Sequence, residues 1–321
     1  MDLPVLVLAY NRPSHLEKCL NALVKLGSYK IYVSQDGKSD NGSSEWIKTK
    51  TLIQSFYEKG LVVKYRTLES NLGTLEGVQS GINWFFDQEK LGLIIEDDLV
   101  LHHHALNNAV ELFGLMAIDN RIGAVCLYPA LPKIDRNKLA PESFRFSVFS
   151  NSLAWGTTAQ KWNQRIDQIS PLTAFNSVKY LIRHVGVSYG LGWLICLIKE
   201  ILLEKKGIKT KTKRGNWDVR WTNTLFVRNW LTVVLNTNSV ENIGWDDFAT
   251  HSKIPTKWQI QEMTLDPSSD NWVLPNSRVP NRKMDRLTMR NFHLMQKLRS
   301  LVQLRTRIRV RILNSRRIQD H

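Results

Sequence analysis

The feature that most constrains this chain is an alternation that fills its first hundred residues. Short apolar, β-branched runs recur, each followed by a segment with helical spacing, and the runs end in polar clusters. Leu3–Ala9 (LPVLVLA) predicts a strand buried on both faces, because it lacks the alternation of a half-exposed strand. After Asn11-Arg12-Pro13, with Ser14 the expected N-cap, His15–Leu26 carries Leu16, Leu20, Leu23 and Val24 on one face and predicts a helix closed by Gly27. Lys30–Ser34 predicts a second strand, running into Gln35-Asp36-Gly37. Helix Ser44–Lys59, strand Leu61–Arg66, helix Thr74–Gln88 and strand Leu91–Ile95 follow, the last ending in Glu96-Asp97-Asp98. A βαβαβαβ succession predicts an α/β fold with a mainly parallel sheet and helices on both faces. Ligands of such sheets sit at the carboxyl ends of the strands. Asn11-Arg12, Gln35-Asp36-Gly37, Asn71 and Glu96-Asp97-Asp98 all fall there.

The second half is less regular. Residues 105–119 predict a helix, Arg121–Leu127 another strand, Pro129–Pro141 a loop, and Ser150–Lys161 is rich in Trp, Ser and Thr. Residues 171–214 have the character of an insertion: an apolar helical stretch, then a basic run from Lys205 to Arg214. Trp217-Asp218 opens a helix to Arg228, Leu231–Leu235 predicts a strand, and Asn242-Ile243-Gly244 leads to Ala249-Thr250-His251. The expected organisation is a ligand-binding half over 1–130, a second half over 131–257 containing the insertion, and a linker with a basic tail over 258–321.

With 43% hydrophobic residues among 321, the chain has globular composition, which excludes disordered and fibrous classes. Three cysteines, Cys19, Cys126 and Cys196, share no metal-binding spacing and are expected to be reduced thiols. The net charge is +15, but residues 279–321 hold twelve lysines and arginines against two acids. The body is therefore close to neutral, and an anionic partner is expected at the tail. Leu3–Ala9 is too short for a signal peptide, and the 14 residues Val185–Ile198 fall short of the ~20 that span a bilayer, so no transmembrane anchor is expected.

Glu96-Asp97-Asp98 is the sharpest chemical signal. Three adjacent acids repel one another, and a cation with oxygen ligands, Mg²⁺ or Mn²⁺, is the usual remedy. In extended chain Glu96 and Asp98 face one way and Asp97 the other. Asp36 can accept hydrogen bonds from a base or ribose. Asn71-Leu72-Gly73-Thr74 suits either close approach of a phosphate or an N-cap supplied by Asn71 or Thr74. His102-His103-His104 cannot all face one ion and is expected to be an exposed connector.

Ala9-Tyr10-Asn11-Arg12-Pro13, Ser34-Gln35-Asp36-Gly37, Ser70-Asn71-Leu72-Gly73 and Glu96-Asp97-Asp98, in this order and spacing, resemble the nucleotide-sugar domain of GT-A glycosyltransferases. The pattern is similar to inverting enzymes with an E-D-D form of the D-x-D motif, among them the N-acetylglucosaminyltransferase that starts complex N-glycans. Asn151-Ser152-Leu153-Ala154-Trp155-Gly156, Trp217-Asp218 and Asn242–His251 resemble bacterial glycosyltransferases of surface-polysaccharide pathways. The resemblance implies a GT-A (Rossmann-like) fold and a metal-dependent transfer from a nucleotide-diphospho-sugar to a glycan or lipid-linked acceptor, with inversion. It places the base against Tyr10, Asn11 and Arg12, and base or ribose against Asp36. Asp98 then holds the metal, with Glu96 or Asp97 supporting the ribose and the metal shell. An inverting transfer needs a general base. Asp218, in the first turn of its helix, is the first candidate, with a helix cap as the alternative; Asp246, Asp247 and Glu241 follow. Trp217 can stack on a sugar, Trp155 is either an acceptor-pocket or a core residue, Asp247 is a further acceptor candidate, and His251 is a metal ligand, a diphosphate donor or an ordinary surface or core histidine.

Two other readings were open to these residues. A nucleotidyltransferase of related fold calls for a Gly-rich basic loop after the first strand, which Asn11-Arg12-Pro13 lacks. A nucleic-acid-binding protein calls for aromatics among the tail's basic residues, and Phe292 stands alone there, so no nucleic-acid partner is expected. The tail's apolar set, Leu287, Leu294, Leu298, Leu301 and Val302, keeps helical spacing among arginines. That suits either packing on the enzyme's own core with the arginines solvated or, in the favoured reading, anionic headgroups, which predicts a cytoplasmic enzyme, peripheral on the inner face of a bacterial plasma membrane.

Overall fold

The computed structural model describes residues 3–28, 30–38, 44–102, 104–139, 142–210, 215–245, 264–266 and 272–291. In chain order its elements are β1 (Val5–Ala9), α1 (Pro13–Lys25), β2 (Ile31–Gln35), α2 (Ser44–Glu58), β3 (Lys64–Thr67), α3 (Gly73–Phe86), β4 (Leu91–Glu96), β5 (Leu99–Leu101), α4 (Ala105–Ile118) and β6 (Ile122–Cys126). They continue as α5 (Lys133–Leu139), β7 (Phe144–Ser147), β8 (Trp155–Thr158), α6 (Ala159–Trp162), α7 (Pro171–His184), α8 (Val187–Thr210), α9 (Trp217–Arg228), β9 (Leu231–Leu235), β10 (Val240–Asn242) and α10 (Arg282–Asn291).

Eight strands form one sheet in the order β3-β2-β1-β4-β8-β6-β9-β7. β1 runs parallel to β2 and β4, and β2 to β3. β8 is antiparallel to both β4 and β6, and β7 is antiparallel to β9. The fold is thus α/β with a mixed, mainly parallel sheet flanked by helices. Ala9 pairs with Gln35 and Leu8 with Glu96, so three strand ends lie level at one edge. β1 shows why its sequence is unbroken by polar residues. Val5, Val7 and Ala9 enter the core on one side of the sheet, Leu6 and Leu8 that on the other. Each valine and leucine among them contributes about 1.5–3 kcal/mol by leaving water.

Several expectations are corrected. α1 begins at Pro13, not His15; Arg12 is its N-cap residue and Ser14 does not cap it. Proline suits the first helical position, where its missing N–H costs nothing. Residues 129–141 are not all loop, since they include α5. The Trp/Ser/Thr-rich segment supplies β8, whose antiparallel course joins the two parts of the sheet. The sheet is therefore continuous across the boundary expected at residue 130. The insertion is two helices, α7 and α8, that bury Leu181, Trp193 and Leu197 in the main core beside Phe226 of α9. The described part of 258–291 is no free linker. Asp266 is buried between Arg136 and Lys133, Asn281 donates its N–H to Phe146 O at 2.9 Å, and α10 buries Met284 and Asp285. The tail beyond residue 291 lies outside the described residues. No helix among them is long and apolar enough to cross a membrane.

Candidate functional site

The strand ends bring together three of the sequence clusters. β4 stops at Glu96, and Asp97-Asp98 form the turn into β5. The alternation expected of extended chain therefore fails after Glu96, and Asp97 does not point aside. Both aspartates meet Arg12. Its Nη1 donates to Asp98 Oδ2 at 2.9 Å and its Nη2 to Asp97 Oδ1. Tyr10 N–H also donates to Asp97 Oδ2, at 3.3 Å. Asn11 is half-buried beside them. The backbone at Tyr10 is held in turn by Gln35, a fully buried side chain whose Nε2 donates to Tyr10 O at 3.0 Å and to Trp46 O at 3.1 Å.

The electrostatics are those of a site short of positive charge. Burial pushes Glu96 up to about 8; Asp98 and Asp97 add to the rise, Arg12 opposes it, and Asp218 adds a further push. Asp97 is pushed up to about 6 because burial outweighs its contact with Arg12. The Arg12 guanidinium is also penalised by burial, yet the two aspartates outweigh that and hold it above its ordinary value. One arginine does not neutralise three acids.

Asp36 has a structural task that sequence reasoning missed. Its Oδ1 accepts from Gly37 N–H at 2.8 Å and Leu72 N–H at 3.0 Å, and its Oδ2 from Gly73 N–H at 3.1 Å. It caps α3 from across the sheet. Leu72, the N-cap residue, makes no side-chain cap, and neither Asn71 nor Thr74 supplies the cap expected of them. Asn71 donates instead to Gly37 O at 3.2 Å. A carboxylate accepts about four hydrogen bonds, so Asp36 keeps room for one to a ligand.

The Asn242-Ile243-Gly244 turn closes over the acids. Ile243 N–H donates to Asp98 O at 2.9 Å. Gly244 lies so close that a Cβ there would stand 2.2 Å from Asp98 Oδ2. His15 of α1 ties the turn down, its Nε2 lying 3.1 Å from Ile243 O. The partner is a carbonyl, so Nε2 carries the proton. Nothing in the sequence separated His15 from an ordinary helical residue. Glu241 pairs with His102 at 2.8 Å across the β5–β10 ribbon.

Asp218 lies in the first turn of α9. It lines a cavity of about 70 Å³ with Ser150, Asn151, Trp193, Trp217 and Thr222. Its charge reaches Glu96 and adds to the rise of that carboxyl. The start of α9 is fixed by Glu200, a buried residue of the insertion whose Oε2 accepts from Asn216 N–H at 2.8 Å. Trp217 borders the cavity, but Trp155 does not. Trp155 is 1% exposed, with its ring stacked on Trp217 at 5.6 Å. It is a core residue that backs Trp217, and its assignment to the acceptor is withdrawn. Asp246, Asp247 and His251 lie outside the described residues.

Among the described residues no three His, Cys, Asp or Glu side chains converge as a metal cage. The donor set nevertheless fits a hard divalent cation held partly by substrate. Such ions are usually bound through one or two carboxylates plus substrate phosphates, and Asp98 stands beside Glu96, a carboxyl that burial and the neighbouring acids push up and that a cation would favour in its ionised form.

No family model matches the chain, and no curated protein matches it. Among solved structures it is similar to the S. aureus protein TarS, with 18% identity over 40% of this chain and 21% of that one, at a TM-score of 0.31. It is also similar to the mannosyltransferase PcManGT from Pyrobaculum calidifontis in complex with GDP-Man and Mn²⁺, with 12% identity over 71% and 69% of the two chains, at 0.39. A third likeness is to a putative glucose-1-phosphate thymidylyltransferase from Bacillus anthracis, with 11% identity over 53% and 76%, at 0.33. The chain thus spans about a fifth of TarS. At such scores its activity rests on the geometry of its own site.

Proposed function

We propose that the chain is a GT-A glycosyltransferase that moves a sugar, with inversion, from a nucleotide-diphospho-sugar to a glycan or lipid-linked acceptor in surface-polysaccharide synthesis. One observation carries the reading: Arg12 binds Asp97 and Asp98 at level strand ends next to Glu96, and a further carboxylate within electrostatic reach of Glu96, Asp218, stands in the wall of a cavity.

Each group has a task in that reading. The segment Tyr10–Arg12, braced by Gln35, receives the base. Asp36 offers its remaining acceptor capacity to base or ribose. Glu96 faces the ribose; Asp97, expected to share that task, is buried with its oxygens held by Arg12 and Tyr10 N–H and supports the site from behind, and Asp98 and His251 would hold Mn²⁺ or Mg²⁺. Such an ion, when bound, supplies positive charge against the developing charge of the diphosphate. Asp218 takes the proton of the acceptor hydroxyl as its oxygen bonds to the anomeric carbon. The bond from that carbon to the diphosphate oxygen breaks with its electron pair leaving on the nucleotide. Trp217 offers an apolar edge to the acceptor sugar, with Asp247 as a further contact. The basic tail keeps its proposed role at anionic headgroups on the cytoplasmic face of a plasma membrane.

The test is nucleotide release. With Mn²⁺ present, the chain is offered a panel of UDP- and GDP-sugars and free nucleoside diphosphate is measured. Release from one donor, raised by an acceptor glycan or lipid, is expected. Pyrophosphate release from a nucleoside triphosphate and a sugar phosphate would instead identify a nucleotidyltransferase.

A further inference from the structure

The hairpin of α7 and α8 has two unlike sides. Its inner side buries Ala174, Ser177 and Leu181 of α7 and Trp193, Cys196 and Leu197 of α8. Its outer side carries Leu172, Phe175 and Ile182 of α7 and Val187, Leu191, Ile195, Ile198 and Leu202 of α8, each between 37 and 68% exposed. The spacing on α8 after Val187 is four, four, three and four residues, one continuous stripe along the helix. Ile182 packs so tightly on Gly190 that a Cβ there would stand 2.4 Å from it, which joins the two stripes into one face. Soluble monomers rarely leave large contiguous apolar patches to water.

The charges around this face share one sign. Lys179 and Arg183 on α7 and Lys199, Lys205 and Lys206 on α8 are exposed. The hairpin's two acids are turned inward: Glu200 is buried against Asn216, and Glu204 lies 3.7 Å from Arg220. An apolar stripe edged by lysine and arginine, with its acids on the other side, matches a surface that is apolar below and anionic above.

We infer that the outer face of α7 and α8 is a docking surface for an anionic lipid bilayer, on which the hairpin lies in the plane of the headgroups. This holds whether or not the reaction proposed above is correct. The geometry adds a consequence for that reaction. Trp193, on the inner side of α8, lines the cavity that holds Asp218. Cavity and bilayer would then be separated by one helix thickness, about 10 Å.

The experiment is vesicle flotation of the full chain with phosphatidylcholine alone and with phosphatidylglycerol added, at low and high salt. Binding to the anionic vesicles, weakened by salt, is expected. A variant carrying Leu191→Ser, Ile195→Ser, Ile198→Ser and Leu202→Ser should lose binding by about tenfold or more, with an unchanged melting temperature because the replaced side chains are exposed. Lys199→Glu, Lys205→Glu and Lys206→Glu together provide a second variant that leaves the apolar stripe intact, and it should lose binding to the anionic vesicles. A chain ending at Asn291 separates this face from the basic tail and should keep binding that the serine substitutions abolish. A cut at residue 282 would instead strip away the buried Met284 and Asp285. Unchanged binding by both substituted variants overturns the inference, as does complete loss on removing residues 292–321. A parent dimer that the serine substitutions turn into monomer, without effect on vesicle binding, would assign the face to a second copy and also overturn it.

Discussion

Arg12 reaches 86 residues along the chain to Asp98, its Nη1 donating to Oδ2 at 2.9 Å. The same guanidinium engages Asp97, so one cation at the end of β1 binds two anions at the end of β4. Removing one partner of a buried pair leaves the other uncompensated, at a cost of about 3 kcal/mol. Arg12→Ala should therefore lower the unfolding free energy by about that amount. Adding Asp97→Asn should restore part of it, because the stranded charge is gone. Denaturant titration of the two variants checks this, and equal losses in both would refute the coupling.

Asp98→Asn should leave the fold intact, since it removes one of three crowded acids. It should abolish the Mn²⁺-dependent part of donor binding. Calorimetry with the donor, in Mn²⁺ and in EDTA, is the measurement. Donor affinity in Mn²⁺ equal to that of the parent would show that Asp98 does not hold the ion.

Asp218→Asn should retain donor binding and lose transfer by about 10²–10⁴-fold, the usual share of a general base. Its place at the start of α9 gives the opposing outcome a clear signature. A lowered melting temperature with normal turnover would make Asp218 a helix-terminus residue alone.

Gly244→Ala would force a methyl group against the Asp98 carboxylate, 2.2 Å from Oδ2 before any adjustment. Asp98 or the 242–244 turn must shift. Donor affinity should fall by about tenfold or more, with a smaller effect on melting temperature. An unchanged donor affinity would show that the turn over Asp98 does not shape the site.

Asp285 links stability to pH. It is fully buried, accepting from Ser147 Oγ–H at 2.6 Å and Val148 N–H at 3.1 Å, and burial pushes it up to about 6. A carboxyl whose folded pKa lies above its unfolded value binds more protons in the folded state between the two. Its penalty is thus absent below about pH 4 and complete above about pH 6, on the order of 3 kcal/mol. Asp285→Asn should flatten this part of the stability profile from pH 4 to 7. An unaltered slope in that variant would place the titration elsewhere.

The sequence by itself determined the parallel half of the sheet and which residues lie at the carboxyl ends of its strands. Local patterns suffice there: a run such as Val5–Ala9 can only be a doubly buried strand, and the residues after it must lie at its carboxyl end. The acidic triplet stood out because few structural roles call for three adjacent acids, whereas Asp218 was a candidate base only through the resemblance, with a helix cap as its alternative. Only the tertiary structure decided which groups meet. Arg12 and Asp98, His15 and Ile243, Asp36 and α3, and Glu200 and Asn216 are contacts across the chain that no local spacing encodes. Trp155 and Trp217 carry the same residue type in similar settings, yet one is core and the other borders the cavity, because packing against a third element separates them. The apolar stretch and basic run of the insertion were legible, but the outer face of α7 and α8 as such was not. Its apolar residues signal burial in a sequence, and only the packed body shows which side of each helix has nothing left to pack against.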